Sequence, residues 1–139
     1  MSTPEPIRLV DYTAPPFWVD TVDLRVSIHA DHTDVTAELA VRRADSRADA
    51  DLVLDGRELE LLGVAIDGRE LDSSEYTRDD DSMTILAVGT EASLQIRTRI
   101  HPEQNTSLEG LYKADSAYCT QCEAQGFRKI TYFPDRPDV

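Results

Sequence analysis

From Val22 to Ile100 the chain repeatedly places an apolar side chain at every second position, and that period is the strongest constraint on its fold. Val22, Leu24, Val26 and Ile28 alternate with Asp23, Arg25, Ser27 and His29. A repeat of two matches the pleat of a half-buried strand, whose successive side chains point to opposite faces. After a turn at His29-Ala30-Asp31-His32 the pattern returns in Val35, Ala37, Leu39 and Val41, with Thr36, Glu38 and Ala40 opposite. This predicts an antiparallel hairpin. Asp51–Asp55 reads as a short strand ended by Gly56. Leu59, Leu61 or Leu62, Val64 and Ile66 give another, with a phase slip at Leu61-Leu62-Gly63 that predicts a bulge. Asp67-Gly68 is a type I′ turn signal, with Leu71 returning beyond it. Tyr76-Thr77-Arg78 and Met83–Leu86 flank an acidic turn, and Leu94, Ile96, Thr98 and Ile100 form the last clean alternation before Pro102. About seven strand segments and no long helix define an all-β class.

The rest of the chain frames this sheet. Residues 1–13 read as a flexible lead. Ala14-Pro15-Pro16-Phe17-Trp18 reads as a rigid extended approach, because each proline fixes its own φ and biases its predecessor away from helix. The polar stretch 42–50 reads as a solvated loop. A length of 139 residues suits one domain with a real core. The balance of 14 basic against 27 acidic residues, a formal charge of −13, repels phosphate backbones and anionic bilayers, so neither nucleic acid nor membrane is an expected partner. No basic-then-apolar leader and no run of ~18 apolar residues is present. Two cysteines without export features imply reduced thiols and a cytoplasmic setting.

From Leu108 the alternation weakens. A hairpin is expected with arms near 108–113 and 117–121, turning at Ala114-Asp115-Ser116, followed by a helical turn after Gly126. Cys119-x-x-Cys122 is the obvious local motif, but a zinc site needs two further ligands and no second cysteine pair exists. A redox pair belongs where a strand enters a helix. The cysteines therefore read as two small, partly buried thiols. His29-x-x-His32 lacks the His-Glu-x-x-His pattern, and a turn and a strand end give His29, His32 and His101 no reason to meet. Asp79-Asp80-Asp81 lacks the ligand alternation and glycine of a calcium loop. No metal ligand is assigned in this chain. Gln121 and Glu123, two apart on a segment read as extended, should share a face. On their own they read as a Gln and a Glu decorating an exposed strand.

The ordered series Asn105-Thr106-Ser107-Leu108-Glu109-Gly110-Leu111-Tyr112, Cys119-Thr120-Gln121-Cys122-Glu123-Ala124, Gly126-Phe127-Arg128, Ile130-Thr131-Tyr132 and Asp135-Arg136-Pro137-Asp138-Val139 resembles the bacterial aminopeptidase N family of zinc metallo-exopeptidases. Asp11-Tyr12-x-Ala14-Pro15 extends the likeness toward the amino end. The resemblance implies that 1–139 is the amino-terminal β domain of a longer enzyme, a twisted, saddle-like sheet or sandwich incomplete at its C-terminal end. It implies that 105–139 is the region facing the active site. It also implies that Glu123 binds the α-amino group of a peptide with a free N-terminus and that Gln121 lines the first side-chain pocket. Zinc and every catalytic residue would lie outside this chain, in a catalytic domain of the same polypeptide that packs on this one. The isolated piece would be inactive and prone to self-association. Gln125, where an acidic residue is common, and Pro134, where leucine is common, depart from the pattern. The rival reading is a free-standing β module that binds a partner without catalysis.

Overall fold

The computed structural model describes residues 3–45 and 50–139. Within the polar stretch 42–50, residues 46–49 lie outside that range. Ten strands follow in chain order: β1 (Phe17–Ile28), β2 (Thr33–Arg43), β3 (Leu52–Asp55), β4 (Glu60–Ile66), β5 (Arg69–Glu70), β6 (Tyr76–Arg78), β7 (Ser82–Ile85), β8 (Glu91–Ile100), β9 (Gly110–Ala114) and β10 (Ala117–Gln121). Three short 3-10 turns, Leu9–Asp11, Pro102–Gln104 and Phe127–Lys129, are the helical segments among the described residues. The all-β expectation holds.

Every pairing is antiparallel. One five-stranded sheet has the order β1-β2-β8-β4-β5, one three-stranded sheet the order β3-β7-β6, and β9 pairs only with β10. The alternation sets which face turns inward. Ala37, Leu39 and Val41 of β2, Leu94 and Ile96 of β8 and Val64 of β4 meet Leu52, Leu54, Met83 and Ile85 of the smaller sheet in one buried cluster with Phe17 and Tyr132. Burial of this apolar area, at ~25 cal/mol per Å², is the main favourable contribution to the fold.

Local signals appear where the sequence put them. The β4–β8 register shifts between Leu61 and Gly63, the predicted bulge. Asp67 and Gly68 carry φ of +50° and +83°, the two left-handed residues that a type I′ turn requires. The Pro-rich approach runs straight into β1, which starts at Phe17 rather than at Val22. Leu9–Asp11 forms a 3-10 turn within the lead, and the end of the lead is tied to the other terminus. Tyr12 donates from its hydroxyl to Asp138 Oδ2 at 2.8 Å, and Arg136 Nη2 donates to the Thr13 carbonyl at 2.7 Å.

A second, smaller cluster carries the region of interest. Val35 and Ile100, at one end of the large sheet, pack on Leu111 and Ile130, with Tyr118, Cys122 and Phe127 beside them. The β9–β10 hairpin is thereby seated on the sheet.

Candidate functional site

The segment 105–139 is built by its own polar side chains. Asn105 Nδ2 donates to the carbonyls of Glu109 (2.7 Å) and Leu111 (3.0 Å), and Asn105 Oδ1 accepts from the backbone and hydroxyl of Ser107. These bonds fold 105–111 so that Leu108 and Gly110 sit at φ of +59° and +76°. A Cβ at Gly110 would lie 2.8 Å from that of Lys129. Lys129, 8% exposed, donates from Nζ to Ser107 Oγ (3.0 Å) and pairs with Glu109 (3.3 Å). The Asn-to-Gly run thus acts as a bracket that presents β9.

Beyond β10 the chain reverses tightly. The Gly126 N–H donates to the Cys122 carbonyl at 2.8 Å, closing a turn through Glu123, Ala124 and Gln125, and the Glu123–Ala124 peptide bond is cis. Only glycine fits at position 126: an added Cβ would stand 2.3 Å from the Gln121 carbonyl oxygen and 2.8 Å from Cys122 Cα. Phe127–Lys129 then makes one 3-10 turn, and Phe127 packs edge-on against Phe133 with ring centroids 5.0 Å apart. Arg128 locks the turn to the C-terminal segment, donating from Nε to Asp135 Oδ2 (3.1 Å) and from Nη2 to the Asp135 carbonyl (3.3 Å). Asp55 holds the same segment. Its backbone exchanges two hydrogen bonds with Phe133, and its Oδ2 accepts from the Asp135 N–H at 2.9 Å. A rigid frame therefore surrounds the turn.

Gln121 and Glu123 stand on this frame, but not as one extended segment. Gln121 is the last residue of β10, whereas Glu123 has already entered the turn. The expectation that both lie on one strand face fails, because closure from Gly126 to Cys122 takes Glu123 out of the pleat. Both side chains are exposed, and among the described residues neither hydrogen-bonds to, or pairs with, another group. An acid and an amide left unpaired above a braced turn are available to a ligand.

The cysteines behave as small packing residues. Both are free thiols and half-buried, and burial, with the Asp135 charge as a lesser cause, pushes the Cys122 thiol above its ordinary value. With its thiol raised in this way, Cys122 carries less thiolate than a free cysteine and is a weaker nucleophile and ligand.

The expectation that the turn gives His29 and His32 no reason to meet fails, since their rings stack with centroids 4.6 Å apart. His29, His32 and Asp34 each offer a ligand atom, all within 4.8 Å of one another. They form no catalytic zinc centre of the resembled kind. The two histidines flank a strand turn, with no glutamate base between them on a helix. Among the described residues no helix is long and apolar enough to cross a membrane.

Residues 19–139 match the family described as the peptidase M1 N-terminal domain. The chain is 45% identical over 137 residues to aminopeptidase N of Caulobacter vibrioides, covering 99% of this chain and 16% of that protein. It is 42% identical over 130 residues to aminopeptidase N of Escherichia coli, covering 93% and 14%. Among solved structures, aminopeptidase A of Legionella pneumophila in complex with aspartic acid superposes with a TM-score of 0.85 at 30% identity, over 95% of this chain and 16% of that one. An M1 zinc metallopeptidase from Deinococcus radiodurans, bound to a Tyr-Ser-Ala substrate, shares the fold at a TM-score of 0.70 and 16% identity, over 88% and 30%. The chain therefore spans roughly one-sixth of the length of the relatives it matches.

Proposed function

This chain belongs to the peptidase M1 N-terminal domain family, and on that premise we propose that it is the substrate-anchoring domain of a zinc-dependent aminopeptidase. In this reading the whole enzyme removes amino acids from the free N-termini of peptides in the cytoplasm. The metal and its bound water lie in a catalytic domain of the same polypeptide, against which this domain packs. Zinc would supply a nucleophilic water and polarise the scissile carbonyl. This chain's own residues bind and orient.

Glu123 carries the proposal. It is an unpaired carboxylate on a turn that Gly126, Arg128 and Asp55 hold in place. A substrate ammonium brings three donors and one positive charge, and a charge-assisted bond to carboxylate contributes about 1.5–3 kcal/mol net. Fixing the amine sets which peptide bond reaches the metal. Closing the pocket behind the amine excludes internal bonds. Gln121, next to it at the strand end, offers an amide to the first side chain.

Comparing a panel of aminoacyl substrates on the parent enzyme tests the division of labour. Gln121→Ala should re-rank preference among first side chains. A uniform loss across the panel would remove Gln121 from the pocket. The 139-residue chain by itself should hydrolyse none of them, and measurable cleavage by it would overturn the placement of the catalytic groups elsewhere.

A further inference from the structure

The β1–β2 hairpin ends in a two-residue loop, Ala30-Asp31, closed by the His29 N–H donating to the His32 carbonyl at 2.8 Å. A loop that short sets its two flanking residues directly opposite each other, with side chains on one face. Their rings lie 4.6 Å apart, centroid to centroid, and inclined by 25°. Asp34 follows His32 by two along β2 and so shares that face. It is the outer face of the sheet, since the neighbouring Val35 is buried on the inner one.

His32 and Asp34 are already oriented, and the His29 ring is stacked on that of His32. His32 Nδ1 stands 2.7 Å from Asp31 Oδ1. When Nδ1–H donates to that carboxylate, the Nε2 lone pair is left free, which is the carboxylate–histidine arrangement common behind metal-binding imidazoles. The free Nε2 faces Asp34 Oδ2 at 3.6 Å, too long for a hydrogen bond. It is close to the ~3.4 Å that separates two ligands held at about 2.0–2.1 Å in a tetrahedral shell. Arg99 fixes the Asp34 carboxylate from the other side, donating from Nε to Oδ1 at 2.7 Å and, more weakly, from Nη2 to Oδ2 at 3.3 Å. The guanidinium brings one unfavourable charge, and it is itself faced by Asp34, Glu60 and Asp31. His101 Nδ1 lies 3.1 Å from the Asp31 carbonyl and braces the loop.

We propose that the tip of the β1–β2 hairpin binds a divalent late first-row transition ion, such as Zn²⁺ or Ni²⁺. The ligands are His29, His32 through Nε2 and Asp34 through Oδ2, with water completing the shell. Two imidazoles and one carboxylate suit such ions and not Mg²⁺ or Ca²⁺, which prefer all-oxygen shells. Bound there, the ion joins the end of β1 to β2 and clamps the tip of the sheet's edge hairpin.

Calorimetric titration of the full chain with ZnCl₂, and separately with NiCl₂, in a non-coordinating buffer tests this. One ion per chain is expected. His29→Ala, His32→Ala and Asp34→Ala should each weaken binding at least about tenfold. Asp31→Ala leaves all three ligands and should still cost about 10–100-fold by releasing His32. The Cys119→Ser, Cys122→Ser double variant should bind as the parent does. In the unaltered chain, where folding of a variant is not at issue, the imidazole Cε1–H resonances of His29 and His32 should shift together on Zn²⁺ addition. Absence of saturable binding would overturn the proposal, as would binding that survives the hairpin substitutions or disappears with the cysteines.

Discussion

Gly126 shows how one residue sets the candidate site. With no side chain, it lets the backbone of 121–122 approach to a distance that a Cβ would violate against the Gln121 carbonyl oxygen. Gly126→Ala should therefore destabilise the chain by about 1–3 kcal/mol, as forced overpacking does, and its denaturant midpoint reports this. An unchanged midpoint would mean that the turn is looser than described. Cys122 makes a second check. Because burial holds its thiol above the ordinary value, it should alkylate more slowly than an unstructured thiol at pH 8, with a rate still climbing at higher pH. Equal rates would contradict its burial. At this scale the sequence was only partly legible. Gln121 and Glu123 could be named from the pattern around them. The turn that separates their faces could not, because it depends on a bond from Gly126 back to Cys122 and on the space beside Gly110. The histidine pair was missed for a related reason. The turn at His29-Ala30-Asp31-His32 was read as giving the histidines no reason to meet, whereas a two-residue closure sets its flanks face to face.

At the level of elements, period two predicted most strands, and the Asp67-Gly68 dipeptide predicted the turn between β4 and β5. Both left the sheet order open. The β2–β8 and β4–β8 pairings join residues far apart in the chain, such as Thr33 with Ile100 and Glu60 with Arg99, and the short strands β3, β7 and β6 form a separate sheet, which local alternation does not encode. Leu39, fully buried between the sheets, should lose about 2–5 kcal/mol as Leu39→Ala, measured by chemical denaturation. Asp34 and Arg99 join β2 to β8 across that order. The hydrogen bond from Arg99 holds the Asp34 carboxyl below its ordinary range, with burial opposing. A depressed carboxyl contributes stability that is fully present above its unfolded value, about 3.9, and is lost as pH falls through the folded value. The advantage of the parent chain over Asp34→Asn should accordingly be full above about pH 4 and fade as pH falls further, through the depressed folded value, in pH-dependent unfolding. A gap that persists into acid would assign the effect to packing.

The whole molecule leaves one face uncovered. Val22, Leu24, Val26 and Ile28 lie on the inner side of edge strand β1, opposite the buried Leu39, Ala37 and Val35, yet they are 38–47% exposed. An apolar row on an unpaired edge attracts partners, while a formal charge of −13 keeps copies apart. Self-association of the 139-residue chain should thus grow with salt, which screens the repulsion and spares the apolar contact. Sedimentation showing a monomer at every salt concentration would count against it. The proposed function sets this domain within a longer enzyme, so the decisive test belongs there. It compares hydrolysis of substrates with free and with acetylated amino termini by the parent enzyme and its Glu123→Ala variant. If Glu123 holds the ammonium, kcat/KM for free substrates should fall at least about tenfold, equivalent to ~1.4 kcal/mol, while the residual rate on acetylated substrates barely changes. Equal proportional losses on both would show that Glu123 supports structure and does not read the amine.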